Sequence, residues 1–198
     1  MIKIERDFDK AVEVIKKGGV IVAPTDTLYG LLADALNKEA VERVYLLKKR
    51  SPDKPLIILI PSTDYLSMFG IKPSTIEKNL LEKKGITVIL DLKDGRFEYL
   101  HRGKNSLAFR IPDYKPLIEF ISKVGRPLVA PSANPEGKVP PSDIKKAIEY
   151  FGSKVDLYID KGERKSPPST IIKINKDNIK ILREGSVSEQ EIRKWYKL

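Results

Sequence analysis

The chain has no cysteine and a single histidine, His101. The first absence excludes disulfides, thiolate nucleophiles and Cys-ligated metals. The second excludes a His-rich metal site and leaves a Ser–His–Asp triad without support. His101 stands in Tyr99-Leu-His-Arg-Gly103, a turn pattern in which the ring is expected to be exposed. Long apolar runs are also missing: none approaches the roughly 18 residues of a membrane helix. The opening Met1-Ile-Lys-Ile-Glu-Arg-Asp lacks the apolar stretch of a signal peptide. A cytoplasmic protein with no membrane contact is the expectation. Internal repeats and low-complexity segments are absent as well.

What is present describes a globular chain. Of 198 residues, 41% are hydrophobic and 32% charged, so the sequence is not of the disordered class. That length suits one domain, here taken as residues 1–198. The formal charge of +10 favours an anionic partner, whether nucleotide, RNA or both.

Positive charge is densest in Lys48-Lys-Arg-Ser-Pro-Asp-Lys54, immediately before the apolar run Leu56–Ile60. That run suits a strand buried on both faces, and unpaired cations cannot follow it into a dry core. A basic loop therefore sits at the mouth of a core strand, a frequent place for anionic ligands. The same cations also suit the solvated end of the preceding helix, which Asn37 caps and Pro52 stops near Arg50.

Elsewhere the pattern alternates strands and helices. Val20–Ala23 is a short strand leaving through Pro24-Thr-Asp-Thr-Leu-Tyr-Gly30, either a side-chain-bonded turn or a loop facing a small polar ligand. Asp7 or Asp9 is expected to cap the helix before it, and Glu39 and Arg43 to pair at i,i+4. Ser74-Thr-Ile-Glu77 is a capping box. Phe97–Leu100 reads as a short strand. Leu107, Phe109 and Ile111 share a strand face, with Arg110 opposite, ready for an anion or for Asp113. Pro127–Ala130 is another core strand that exits into proline and small polar residues, Pro131-Ser-Ala-Asn-Pro-Glu-Gly137. Ser142 caps a helix, Lys161–Pro168 is a polar, mobile loop, Ser169–Ile174 and Ile179–Arg183 are strands around a turn at Asn175–Asn178, and a last helix follows Ser188.

Three stretches together resemble the YrdC-like family: Pro24-Thr-Asp-Thr-Leu-Tyr-Gly-Leu31, Lys48-Lys-Arg-Ser-Pro-Asp-Lys-Pro-Leu56 and Pro131–Gly137. Phe109-Arg-Ile-Pro-Asp113, Ser169-Thr-Ile-Ile172 and Ile181-Leu-Arg-Glu-Gly185 add to the likeness. The resemblance covers about residues 8–190, the core of the domain, and implies one α/β (α+β) domain, a twisted mixed sheet with helices around a basic concave cavity. It implies an L-threonylcarbamoyladenylate synthase, a nucleotidyltransferase making threonylcarbamoyl-AMP and pyrophosphate from L-threonine, bicarbonate and ATP. A downstream complex would transfer the group to tRNA. The YciO-like branch, read as double-stranded RNA or tRNA binding without this activity, is the alternative.

By resemblance, the Lys-x-Arg pair falls on Lys48 and Arg50 as catalytic residues. The Ser-x-Asn pair falls on Ser132 and Asn134, the middle and late arginines on Arg110 and Arg183, and the late serine on Ser169. Thr25, Thr27 and Tyr29 would frame threonine, and Lys54 would join the phosphate contacts. Mg2+ would arrive with ATP, without a protein cage. The chain departs from some relatives in carrying Ile57-Ile-Leu-Ile60 where they have a histidine.

Overall fold

Apolar residues of the central strands alternate between two faces, and that alternation divides the core. The structure is a computed structural model that describes residues 2–92, 94–175 and 178–196. Its strands are β1 (Ile4–Glu5), β2 (Ile21–Pro24), β3 (Tyr29–Asp34), β4 (Ile57–Leu59), β5 (Ile86–Asp91), β6 (Ser106–Arg110), β7 (Leu128–Val129), β8 (Leu157–Ile159), β9 (Thr170–Asn175) and β10 (Asn178–Arg183). They form one sheet in the order β1-β8-β2-β3-β7-β4-β6-β5-β9-β10. The pairs β1–β8, β8–β2, β4–β6 and β5–β9 are parallel. The other pairs are antiparallel. The helices are α1 (Asp9–Lys16), α2 (Lys38–Lys48), α3 (Thr75–Leu81), α4 (Glu98–His101), α5 (Lys115–Val124), α6 (Ile144–Phe151) and α7 (Glu189–Tyr196).

Val20, Val22, Leu31, Ile58, Val88, Phe109 and Ile172 meet Val44 of α2, Leu81 of α3 and Ala147 of α6 on one face. Ile21, Ala23 and Leu32 point the other way, against Ala11 and Ile15 of α1 and Leu117, Phe120 and Ile121 of α5. This is the period of two that a pleated strand imposes. On the second face α1 and α5 reach only as far as Leu59 of β4. At its margin lies Ile57, which still packs against this cluster, and beyond it Ile89, Ala108 and Ile171; each is next in sequence to a buried residue of the first face yet only half-buried. A stretch of sheet spanning β4, β6, β5 and β9 is thus left uncovered by helices among the described residues, and it is the floor of a hollow.

Several local expectations change. Phe97–Leu100 is not a strand: a 3-10 turn at Gly95–Phe97, capped by Asp94, runs into α4. Phe97 and Leu100 are three apart and both buried, a helical spacing. His101 is buried at 4% exposure, and its Nδ1 accepts from the Gly103 amide. Asp143, not Ser142, caps α6, accepting from Lys146 N–H at 2.8 Å. Phe8 occupies the cap position of α1 and makes no side-chain bond, but Asp7 beside it accepts from Asp9 N–H, the first amide of the helix, at 3.1 Å. Arg43 pairs with Asp156 at 2.5 Å in place of Glu39. Asn37 caps α2 and the Ser74–Glu77 box forms, as expected. Residues 176–177, in the turn expected at Asn175–Asn178, lie outside the described residues, as does Lys93.

Candidate active site

The two loops that leave core strands through proline lie side by side. Leu31 N–H donates to Pro131 O at 2.9 Å and Ala133 N–H to Tyr29 O at 2.8 Å, with a bridge between Gly30 and Ser132. A Cβ on Gly30 would stand 3.3 Å from Pro131 O and 3.2 Å from Thr25 Cγ2, so this approach favours glycine. Helix α2 ends at Lys48 because Lys49 turns left-handed at φ 49°. That turn lets Lys48 and Arg50 diverge from a helical course.

The uncovered sheet carries two adjoining lobes. The first, about 370 Å³, has Ile57, Ile89, Ala108 and Ile171 on its floor and Lys48, Arg50, Lys104 and Arg183 around it. No acidic side chain is among its described lining residues. The second lobe, also about 370 Å³, is lined by Thr25, Asp26, Thr27, Tyr29, Arg110 and Ser169, with Pro140 and Pro168 at its edge. Ile57, Pro131, Ser132 and Arg183 belong to both and form the shared wall.

Of the expected residues, Lys48, Arg50, Thr25, Thr27, Tyr29, Arg110, Ser132, Ser169 and Arg183 therefore converge; Lys54 and Asn134 do not line either lobe. Lys54 pairs with Glu136 at 2.5 Å, and Glu136 also accepts from Ser51 N–H. Lys54 holds the basic loop to the Pro131–Gly137 loop. Asn134 turns inward: its Nδ2 donates to Pro135 O and Lys138 O, closing its own turn.

Three residues that do line the lobes spend their polar atoms on the protein. Lys48, 2% exposed, donates from Nζ to Ser132 O at 2.5 Å and Asn134 O at 2.7 Å. Burial, and then Arg50, lower its pKa to about 8. Tyr29 donates from its hydroxyl to Gly162 O at 2.7 Å and accepts from Lys161 N–H at 3.1 Å. Burial raises its pKa. The loop expected to be mobile, 161–168, is thus tied to the second lobe, and Arg164 N–H adds a bond to Ser142 O. Thr25 closes the Pro24–Gly30 turn, its Oγ1 donating to Leu28 O and accepting from Thr27 N–H.

Arg110 is not paired with Asp113. Its Nη2 meets Asp26 Oδ2 at 2.5 Å, both side chains under a tenth exposed, while Asp113 pairs with Lys84. The same Asp26 oxygen accepts from Asp113 N–H. Asp26 Oδ1 and Arg110 Nε are buried without partners. Arg183 donates from Nη2 to Ser169 O at 2.8 Å, and Ser169 Oγ meets Thr87 Oγ1 at 2.8 Å. Burial, and then Arg110, lower the Arg183 pKa. Gly185 sits so close to this wall that a Cβ would come 2.1 Å from Pro168 O. Asp26 and Lys104 were not singled out from the sequence. Asp26 sits inside a quoted motif between two threonines, a signal for it; Lys104 has none beyond the neighbouring glycine.

The family model Sua5_yciO_yrdC, described as "Telomere recombination", matches residues 13–185. The chain belongs to the Sua5/YciO/YrdC family. Among relatives, a Methanocaldococcus jannaschii protein provisionally named threonylcarbamoyl-AMP synthase is 36% identical, over 95% of this chain and 92% of its own length. The threonylcarbamoyl-AMP synthase of Pyrococcus abyssi is 33% identical over 93% of this chain, which spans only 55% of that protein. The solved P. abyssi Sua5 in complex with L-threonine superposes with a TM-score of 0.89 at 29% identity, over 98% of this chain and 60% of that one. E. coli YciO shares the fold, with a TM-score of 0.83 at 23% identity over 97% of this chain and all of that one. The twisted mixed sheet with its helices is the fold of those solved structures.

Proposed function

We propose that this domain makes threonylcarbamoyl-adenylate and pyrophosphate from L-threonine, bicarbonate and ATP, as a nucleotidyltransferase. One observation carries the reading: a lobe with four cations and no acid among its described lining residues joins, through Ser132 and Arg183, a lobe of hydroxyls that also holds the buried Arg110–Asp26 pair. The relatives named as threonylcarbamoyl-AMP synthases support it.

The first lobe suits a nucleotide, with base or ribose on the apolar floor and phosphates among the cations. The second suits an amino acid, its carboxylate toward Arg110 and its hydroxyl and methyl toward Thr25 and Thr27. The free amine of threonine takes up bicarbonate: an N–C bond forms and water leaves, giving the carbamate. A carbamate oxygen then attacks the α-phosphorus, the bond from that phosphorus to the bridging oxygen breaks, and pyrophosphate leaves with the electron pair. No covalent enzyme nucleophile is needed. Placement of two anions and neutralisation of charge at the α-phosphate supply the catalysis. Arg183 and Ser132, on the shared wall, face that phosphate. Lys48 fixes the Ser132 backbone and adds charge from a dry position, where it acts more strongly.

Mg2+ would come with ATP. No group of three or more acidic or histidine side chains that could hold a metal exists among the described residues. The ion would be ligated by phosphate oxygens and water, with no protein cage. Use of the product on tRNA would fall to a separate transfer complex, and the +10 charge suits tRNA or double-stranded RNA contact. Among the described residues no helix is long and apolar enough to cross a membrane.

The test is pyrophosphate release from ATP and bicarbonate, with and without L-threonine. Release that requires threonine is the expected result. Salt-sensitive RNA binding without any release would select the binding-protein reading.

A further inference from the structure

Lys104 belongs to none of the stretches that carry the family resemblance, yet it lines the first lobe. It stands in the turn between α4 and β6, where Arg102 and Asn105 both have φ 51° and Gly103 has φ 77°. Two non-glycine residues in the left-handed region mark a turn held by its surroundings. The holders are visible. Arg102 pairs with Glu42 at 2.8 Å and lies 4.1 Å from the ring centroid of Tyr45, both on α2. Lys104 N–H donates to His101 O, and Asn105 O accepts from Leu92 N–H. Tyr45 in turn donates its hydroxyl to Lys54 O, at the end of the basic loop. One tyrosine thus braces both the Lys104 turn and the loop that carries Arg50.

Arg50 is braced in the same way, donating from Nε to Lys54 O and from Nη2 to Pro55 O. Lys104 is exposed, and no ion pair holds its ammonium among the described residues. Asp53 is the nearby acid, and the Ser51 hydroxyl engages it. Arg50 and Lys104 line only the first lobe, whereas Arg183 lines both. That difference sets a direction. In phosphoryl transfer the attacking and leaving oxygens are roughly in line across phosphorus. Attack comes from the amino-acid lobe, so the leaving group departs on the far side of the shared wall.

We propose that Lys104, with Arg50, binds the β- and γ-phosphates of ATP and holds the departing pyrophosphate. The step is the one balanced above, with the electron pair of the broken bond ending on pyrophosphate between these two cations. This rests on the functional reading of the two lobes and deepens it by assigning a residue to the leaving group.

The experiment measures binding of inorganic pyrophosphate, AMP and L-threonine to the unmodified protein, to Lys104→Met and to Lys16→Met. Lys16, exposed on α1 and outside both lobes, controls for net charge. A charge-assisted contact predicts a loss of roughly tenfold or more in pyrophosphate affinity for Lys104→Met. AMP and threonine affinities should stay within about twofold, as should all three for Lys16→Met. Unchanged pyrophosphate affinity in Lys104→Met would overturn the proposal. So would an equal loss for AMP, or an equal loss in Lys16→Met. If the unmodified protein binds threonine but neither phosphate ligand, the reading of the first lobe fails along with it.

Discussion

A buried lysine that donates to two carbonyls has two tasks, and they separate with pH. Burial and Arg50 bring Lys48 down to about 8 from 10.5, with Glu136 opposing. Between those values the folded chain binds fewer protons than the unfolded one, so this residue's contribution to stability rises with pH across that window. Its charge is lost as pH rises through about 8, so the ligand-free protein's affinity for pyrophosphate should fall there. Lys48→Met should abolish both trends, read by urea unfolding and by titration calorimetry over the same pH range. An unchanged pH profile in that variant would remove Lys48 as the source. Asp26 is a second case. Asp26→Ala leaves the Arg110 charge buried and unpaired, which should cost about 3–5 kcal/mol of stability. Asp26→Asn keeps an acceptor for Nη2 and should cost less. A loss under about 1 kcal/mol for Asp26→Ala would show that Arg110 finds water or another partner.

At the scale of elements, the cavity wall depends on segments tied across long stretches of chain. Tyr29 opens β3, yet its hydroxyl holds Lys161 and Gly162. The same segment continues to Pro168 and Ser169 in the second lobe. Tyr29→Phe should destabilise the protein by about 1–2 kcal/mol, since Lys161 N–H and Gly162 O both lose a partner. Hydrogen exchange should speed up at Lys161–Arg164 while the β2–β3 amides keep their protection. Threonine affinity should drop more than AMP affinity, because the loosened wall faces the second lobe. Equal protection at Lys161–Arg164 in both proteins would show that Arg164 and its bond to Ser142 hold the segment alone. Gly185 supports the same wall through close approach, where any side chain meets the Pro168 carbonyl.

For the whole molecule, the governing feature is a sheet whose central strands are covered by helices on one face and only in part on the other. Ligands that bind only this folded arrangement stabilise it by an amount that grows with the logarithm of their free concentration, about 2.7 kcal/mol at a hundredfold excess over Kd. L-Threonine and ATP should each raise the melting temperature, and serine should raise it less than threonine if Thr25 and Thr27 read the methyl group. Equal protection by serine and threonine would remove that role from the two threonines.

Much of this was legible in residue order. Proline-ended core strands, the Asn37 and Ser74 caps and the alternation around Phe109 are local patterns, and local physics sets them. The ordered motifs pointed to the family and to most of the cavity lining for the same reason: they are runs of adjacent residues at strand exits. The partner of each side chain was not legible, because partners lie far away in sequence. Lys48 reaches residues 132 and 134, Lys54 reaches Glu136, Tyr29 reaches Gly162 and Arg110 reaches Asp26. Lys104 enters the lobe only because a turn braced on α2 carries it there. Sequence thus determined which elements form and which stretches meet a ligand. Tertiary structure decided which charges face the ligand and which are consumed in holding the walls, since a buried polar group takes whatever partner the fold brings within reach.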